Sequence, residues 1–160
     1  MKTIFESENI SFTEVSELLT DDYLTMINDY ENVNRYIGSP NKTFTREQEI
    51  GWARKKLEEK APVFSMIEKK SGRFIGNIEF MSLTDTQGEL GIALTAEMQD
   101  RGYGTEAITA FTRYGMDVLG LKRIYLRSRL FNARAIHVYE KCGFREYGRD
   151  DVLVYMELTR

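Results

Sequence analysis

Cysteine and histidine each occur once among the 160 residues, as Cys142 and His137. A lone cysteine excludes an internal disulfide framework and leaves no cysteine-rich metal site. No apolar run reaches the length of a membrane helix, and the N-terminus lacks a signal-peptide pattern. No Gly-Lys-Ser/Thr occurs, which removes the Walker phosphate loop. Arginine is not interleaved with aromatic residues and no basic arm exists, so nothing points to nucleic acid. Repeats, low-complexity tracts and linkers are absent too. The expectation is a soluble cytoplasmic protein with no metal, no membrane and no nucleic-acid partner.

What is present is an ordinary globular mix, 42% apolar and 29% charged. Its length suits one domain, residues 1–160, with a sizeable core. Net charge is −3, unevenly spread. Residues 1–100 hold 11 basic and 18 acidic side chains, whereas residues 101–134 hold 7 basic and 2 acidic. The acidic part would steer a cationic partner and the basic block an anionic one, unless the asymmetry is only a solvated surface.

Periodicity predicts a short strand around residues 9–12, then a helix capped by Thr20 that runs to about Tyr30. Leu24, Ile27 and Tyr23 form its apolar stripe. Residues 31–41, with Gly38-Ser39-Pro40, read as a loop. Thr45 and Gln48 fit a capping box for a helix carrying Ile50, Ala53 and Leu57. Strands follow at 63–68, 73–83 and 89–95, joined by short turns that imply an antiparallel meander. A helix at 104–119 presents Ala107, Ile108, Phe111, Tyr114 and Val118 on one face. Next come a strand at 123–128, a helix at 133–142 stopped by Gly143, and strands at 144–147 and 152–158.

The most informative stretch is Gln99-Asp100-Arg101-Gly102-Tyr103-Gly104-Thr105, between a strand and a helix. Glycines let the backbone turn tightly and approach a ligand. The N–H groups left over at the helix start, beside the positive end of its dipole, favour phosphate or pyrophosphate. Arg101 would add a charge. A tight connection with no ligand is the bland alternative. The dinucleotide fingerprint fits only in part: Ala107 suits its third small position, but Arg127 and Arg129 stand where an acidic ribose ligand is needed.

Gln99-x-x-Gly102-x-Gly104 after a strand, with the later run Asn132-Ala133-Arg134-Ala135-Ile136-His137-Val138-Tyr139-Glu140-Lys141-Cys142-Gly143-Phe144, resembles the GNAT superfamily of N-acetyltransferases. The resemblance covers about residues 4–158 and looks closest to the ribosomal-protein and spermidine branch. It implies an α/β fold with a mixed, mostly antiparallel twisted sheet flanked by helices, and a cofactor in a splay between two central strands. It also implies acetyl-CoA as co-substrate and acetyl transfer to an amine by direct attack in a ternary complex. The acceptor would be a polyamine, an antibiotic amine or a protein N-terminus, cationic in character, and a homodimer is allowed. A sensor that binds acyl-CoA without turnover is the rival reading.

By resemblance, the pantetheine arm lies along Ile92, Ala93 and Leu94, and the pyrophosphate on residues 99–105. Asn132 and Ala135 approach the arm, and Tyr139 is the acid that protonates the departing thiolate. Asn132 also reads as an N-cap, seven residues from Tyr139 and so along one helix side. A packed tyrosine with its hydroxyl tied off is the alternative. For the base that deprotonates the amine, Glu89 is preferred and Glu79 is the rival, with a relay through water open to both. Burial would make either carboxylate a stronger base. His137 points to a different face from Tyr139 and reads as packing or surface, and Cys142 as a structural thiol.

Overall fold

A computed structural model describes residues 1–37 and 41–160. The chain forms β1 (Thr3–Glu6), β2 (Ile10–Glu14), α1 (Thr20–Ile27), α2 (Arg46–Glu58), β3 (Val63–Glu68) and β4 (Phe74–Met81). Then follow β5 (Gln87–Leu94), α3 (Tyr103–Asp117), β6 (Arg123–Arg129), α4 (Ala133–Lys141), β7 (Arg145–Arg149) and β8 (Leu153–Thr159). The strands make one eight-stranded sheet in the order β1-β2-β3-β4-β5-β6-β8-β7. β5 and β6 run parallel, while β1–β2, β2–β3, β3–β4, β6–β8 and β7–β8 are antiparallel. This is the mixed, mostly antiparallel α/β architecture that the sequence implied.

By its internal contacts the chain divides into two compact units, Met1–Glu79 with Ile92–Tyr103, and Phe80–Gly91 with Gly104–Arg160. The first is built around Val15, Tyr23, Met26, Ala53, Val63 and Phe74. Tyr23 meets Trp52 and Phe74 edge-on at 5.6 and 5.4 Å. Burying its phenol requires partners. The hydroxyl shares a hydrogen bond with Ser65 at 2.5 Å and accepts one from the Ser16 amide at 3.1 Å. Thr45 and Gln48 close the expected capping box, which fixes the start of α2.

In the second unit Phe80 stacks on Phe111 at 4.1 Å. Gly115 lies beneath them, where a Cβ would come within 2.6 Å of the Phe80 ring. β6 and β8 alternate, so Ile124 and Leu126 join Val154 and Met156 in the core. Gly143 adopts φ +97° directly after α4, as its place at the helix end predicted.

Several expectations need correction. β1 has no counterpart in the sequence reading, because its four residues are too few to show a period. Thr20 does not cap α1; its hydroxyl donates to the Glu17 carbonyl, and Ser16 caps the preceding 3-10 turn instead. α1 stops at Ile27, where the Asn28 side chain bonds both the N–H and the carbonyl of Phe44 at 2.9 Å. Its buried face is Tyr23 and Met26, with Leu24 and Ile27 half-buried. Val118, expected on the apolar face of α3, falls past the helix end and is 66% exposed. Within the expected loop at 31–41, Asn34–Tyr36 forms a 3-10 turn, and Gly38-Ser39-Pro40 lie outside the described residues.

Gly76 supplies a sharp stability test. A Cβ there would sit 2.0 Å from the Ala93 carbonyl oxygen, a backbone atom that cannot rotate away. Gly76→Ala should cost about 3 kcal/mol, the upper end for overpacking, or prevent folding. Gly102→Ala meets open space and bears only the strain of φ +86°, about 1–2 kcal/mol. Urea midpoints should show the larger loss at Gly76; equal losses would contradict this packing.

Candidate active site

The strand-to-helix connection starts where the Thr95 amide donates to the Ile75 carbonyl at 2.9 Å, tying the end of β5 to β4. A 3-10 turn at Ala96–Met98 follows and buries Met98. The side-chain amide of Gln99 donates to the Leu94 carbonyl at 2.9 Å and to the Asn32 carbonyl at 3.0 Å. The Leu94 carbonyl is therefore already engaged by this loop. Asp100 and Gly102 then take φ +59° and +86°, and the chain enters α3 at Tyr103. A Cβ on Gly102 would meet nothing within 4 Å, so its glycine serves the backbone angle and leaves open space above it. Gly104 and Thr105 lie in the first turn of α3, which begins one residue earlier than expected.

Beneath the loop sits Glu68, the last residue of β3, 3% exposed. Its carboxylate accepts from the hydroxyls of Ser71 and Tyr103 and from Arg101 Nη2, the last at 3.2 Å. The other terminal nitrogen of Arg101 lies 3.2 Å from the Met98 sulfur, and the guanidinium stacks over the Tyr103 ring at 5.4 Å. Arg73 makes a two-pronged pair with Glu97 at 2.8 Å on the same stretch. The Ser71 and Tyr103 hydroxyls, and then the Arg101 charge, hold the Glu68 carboxyl below the usual range against the opposing effect of burial. Glu68 was missed in the sequence. Its signal was there: it falls in line with Phe64 and Met66 on one face of β3, where an acid needs partners.

In the second unit Asn132 caps α4 as expected, accepting from the Ala135 amide at 3.4 Å. Tyr139, further along α4, meets Phe144 edge-on at 6.1 Å. Burial, with a smaller push from Cys142, raises its phenol to about 12. Its hydroxyl has no hydrogen-bond partner among the described residues. The Cys142 thiol faces the Thr105 carbonyl and the Thr109 hydroxyl at 3.8 Å, and burial raises its pKa. That is a packing role. His137 is exposed.

Of the two candidate bases, Glu89 is buried on β5 and bonded by Arg127 Nε at 2.9 Å, with side chains 11% and 56% exposed. Glu79 is half-buried and stands opposite Val63 in the β3–β4 register. The β5–β6 register runs from Gln87↔Arg123 to Glu89↔Tyr125, whereas β6 keeps its β8 partner along all of Arg123–Arg129.

The class this defines is an α/β transferase fold with a glycine turn at a helix head. The Acetyltransferase (GNAT) domain model matches residues 12–145, and the chain belongs to that family of acetyltransferases. It is 26% identical over 129 residues to spermidine N(1)-acetyltransferase of Vibrio cholerae, covering 79% of this chain and 73% of the relative. Its fold is that of a GNAT-family acetyltransferase from Bacillus anthracis, at TM-score 0.87 and 22% identity over 99% and 98% of the two chains. A Vibrio cholerae spermidine N-acetyltransferase solved with CoA and spermine matches at TM-score 0.84 and 20% identity, over 96% of each chain. No helix among the described residues is long and apolar enough to cross a membrane.

The depressed Glu68 carboxyl gives a pH test. A carboxyl lowered on folding contributes stability that is complete above its unfolded value and is lost as pH falls through the folded one. The window thus lies below about pH 4, the region of free carboxyls and lower. Arg101 and Lys70 are the charged groups that act on it. Urea midpoints of wild type and Glu68→Gln should differ by a constant amount from pH 6 to 8 and converge at the acid end. A gap that widened on acidification would contradict the assigned sign.

Proposed function

We propose that the chain transfers an acetyl group from acetyl-CoA to a primary amine, by direct attack in a ternary complex. The observation that carries this reading is the turn at 99–105, with Gly102 at positive φ under open space. The N–H groups of the first turn of α3, which the helix cannot pair internally, would meet the pyrophosphate. Gln99, Asp100, Arg101, Gly102, Tyr103, Gly104 and Thr105 supply that turn. The backbone of Ile92, Ala93 and Leu94 would meet the pantetheine arm, and the family resemblance makes Asn132 and Ala135 further candidates for cofactor contacts. The β5–β6 register that ends at Glu89 supports the strand-edge part of this.

Two proton transfers are needed. The amine is mostly protonated near neutral pH and must lose a proton before it attacks the thioester carbon. Glu89 is the preferred acceptor of that proton and Glu79 the alternative, directly or through water. Glu89 would have to share its carboxylate between Arg127 and the incoming ammonium. When the tetrahedral adduct collapses, the C–S bond breaks and the thiolate takes up a proton. Tyr139 is the proposed donor. A phenol raised to about 12 is protonated throughout the physiological range, so the donor is always loaded. It is a weaker acid than the thiol formed, so this transfer runs uphill, and the tyrosinate left behind would have to be stabilised in the site and reprotonated from solvent.

The acceptor is proposed to be cationic, a polyamine or a protein N-terminus with positive charge nearby. The acidic excess of residues 1–100 supports this, as does the likeness to an enzyme named for spermidine.

Two readouts on one variant separate transferase from acyl-CoA sensor. Acetyl-CoA at about 100 times its Kd should stabilise wild type by roughly 2.7 kcal/mol in a thermal melt. Tyr139→Phe should keep that shift and lose turnover by about 10²–10⁴-fold. Full turnover in Tyr139→Phe, with chemistry limiting in wild type, would remove the acid role. A shift with no wild-type turnover on any amine would leave a sensor.

A further inference from the structure

We propose that Glu68 is a positioning residue for the cofactor turn. By drawing Arg101 and Tyr103 down onto the end of β3, it makes the turn offer its backbone N–H groups, and not the Arg101 charge, to the pyrophosphate. The inference rests on the acetyl-CoA reading above.

Arg101 and Tyr103 flank Gly102, the residue with the most conformational freedom in the turn. Both bond the same oxygen of Glu68, while Ser71 bonds the other. Gly102 is thus held from both sides by one buried carboxylate that is itself fixed in β3. The Arg101 guanidinium is occupied on three sides, by Glu68, the Met98 sulfur and the Tyr103 ring. A carboxylate beside an anion site would repel a phosphate if it stood alone. Paired with Arg101 it is nearly neutral at a distance, and its effect becomes geometric. A turn fixed before the ligand arrives loses less entropy on binding. Burial of an unpaired carboxylate is costly, so Glu68 and the two loop side chains hold one another in place.

The position predicts a sign that simple electrostatics reverses. Removing a negative charge near an anion site should tighten acetyl-CoA binding if charge alone matters. On the positioning account, Glu68→Gln weakens it by about 10- to 100-fold, as expected for lost charge-assisted hydrogen bonds. Calorimetric titration with acetyl-CoA of wild type, Glu68→Gln, Arg101→Gln and the double variant would read this. The double variant should bind no more weakly than the weaker single one. The salt dependence of Kd should be the same for Arg101→Gln and wild type, since Arg101 does not meet the phosphates.

Folded Glu68→Gln that binds as tightly as wild type or more tightly would overturn the proposal. So would additive losses, or a flatter salt dependence in Arg101→Gln. Should Glu68→Gln not fold, Tyr103→Phe carries the test, because it keeps Arg101 and its charge. Weaker binding then supports the positioning role and unchanged binding overturns it. Absence of saturable acetyl-CoA binding in wild type would remove the cofactor reading and the positioning role together. Saturable binding left unchanged in Glu68→Gln would remove the positioning role alone.

Discussion

A carboxylate taken out of water is destabilising unless donors surround it, and Glu68 has three. β3 carries Phe64, Met66 and Glu68 on one face, so the strand that buries two apolar side chains also delivers the acid. Its partners then dictate where residues 101 and 103 lie, and with them the backbone at Gly102. The Arg73–Glu97 pair and the Gln99 amide fix the segment leading into the turn. Eight residues between β5 and α3 are thereby held at both ends and in the middle. The turn is short, well anchored and holds one non-glycine, Asp100, at positive φ beside the unstrained Gly102, a combination that suits close approach by a ligand.

The chemical groups proposed for catalysis differ in how the fold treats them. Tyr139 has its ring packed against Phe144, while its hydroxyl is left without a partner among the described residues. Tyr139 is half-buried, and no buried side-chain oxygen or nitrogen among the described residues lacks a partner, so the unpaired hydroxyl retains access to solvent and, on the proposed reading, to a departing group. Glu89 is the reverse case, buried and already paired. Its pairing with an exposed arginine gives a cationic acceptor a competitor at the point where the amine would arrive. If the proposed cationic acceptor meets Glu89, charge steering from the acidic excess and local competition from Arg127 would act in opposite directions on it.

Much of the fold was legible because long elements carry their own periodicity and stop signals. β3 was predicted to the residue, the Thr45–Gln48 box marked the start of α2, and Gly143 marked the end of α4. β1 was not legible, since a four-residue edge strand shows no period and depends on pairing with β2. Thr20 looked like a cap because its side chain fits the role. Ser16, four residues earlier, took it by starting a 3-10 turn that no local pattern announces. The glycine turn between β5 and α3 was legible as a motif, but not the direction of Arg101. That direction is set by an acid 33 residues away in the chain, and spacing within the motif carries no trace of it. Asn132 as a cap and Cys142 as a packed thiol were readable from their places at the two ends of α4.

The central proposal is that this GNAT-family chain moves an acetyl group from acetyl-CoA to an amine. Release of free CoA thiol, followed with acetyl-CoA and a panel of cationic, neutral and acidic amines, tests it most directly. The account predicts thiol release that requires an amine, is fastest with a cationic acceptor and slows as salt screens the acidic excess. Thiol release at the same low rate with every acceptor and with none would contradict it.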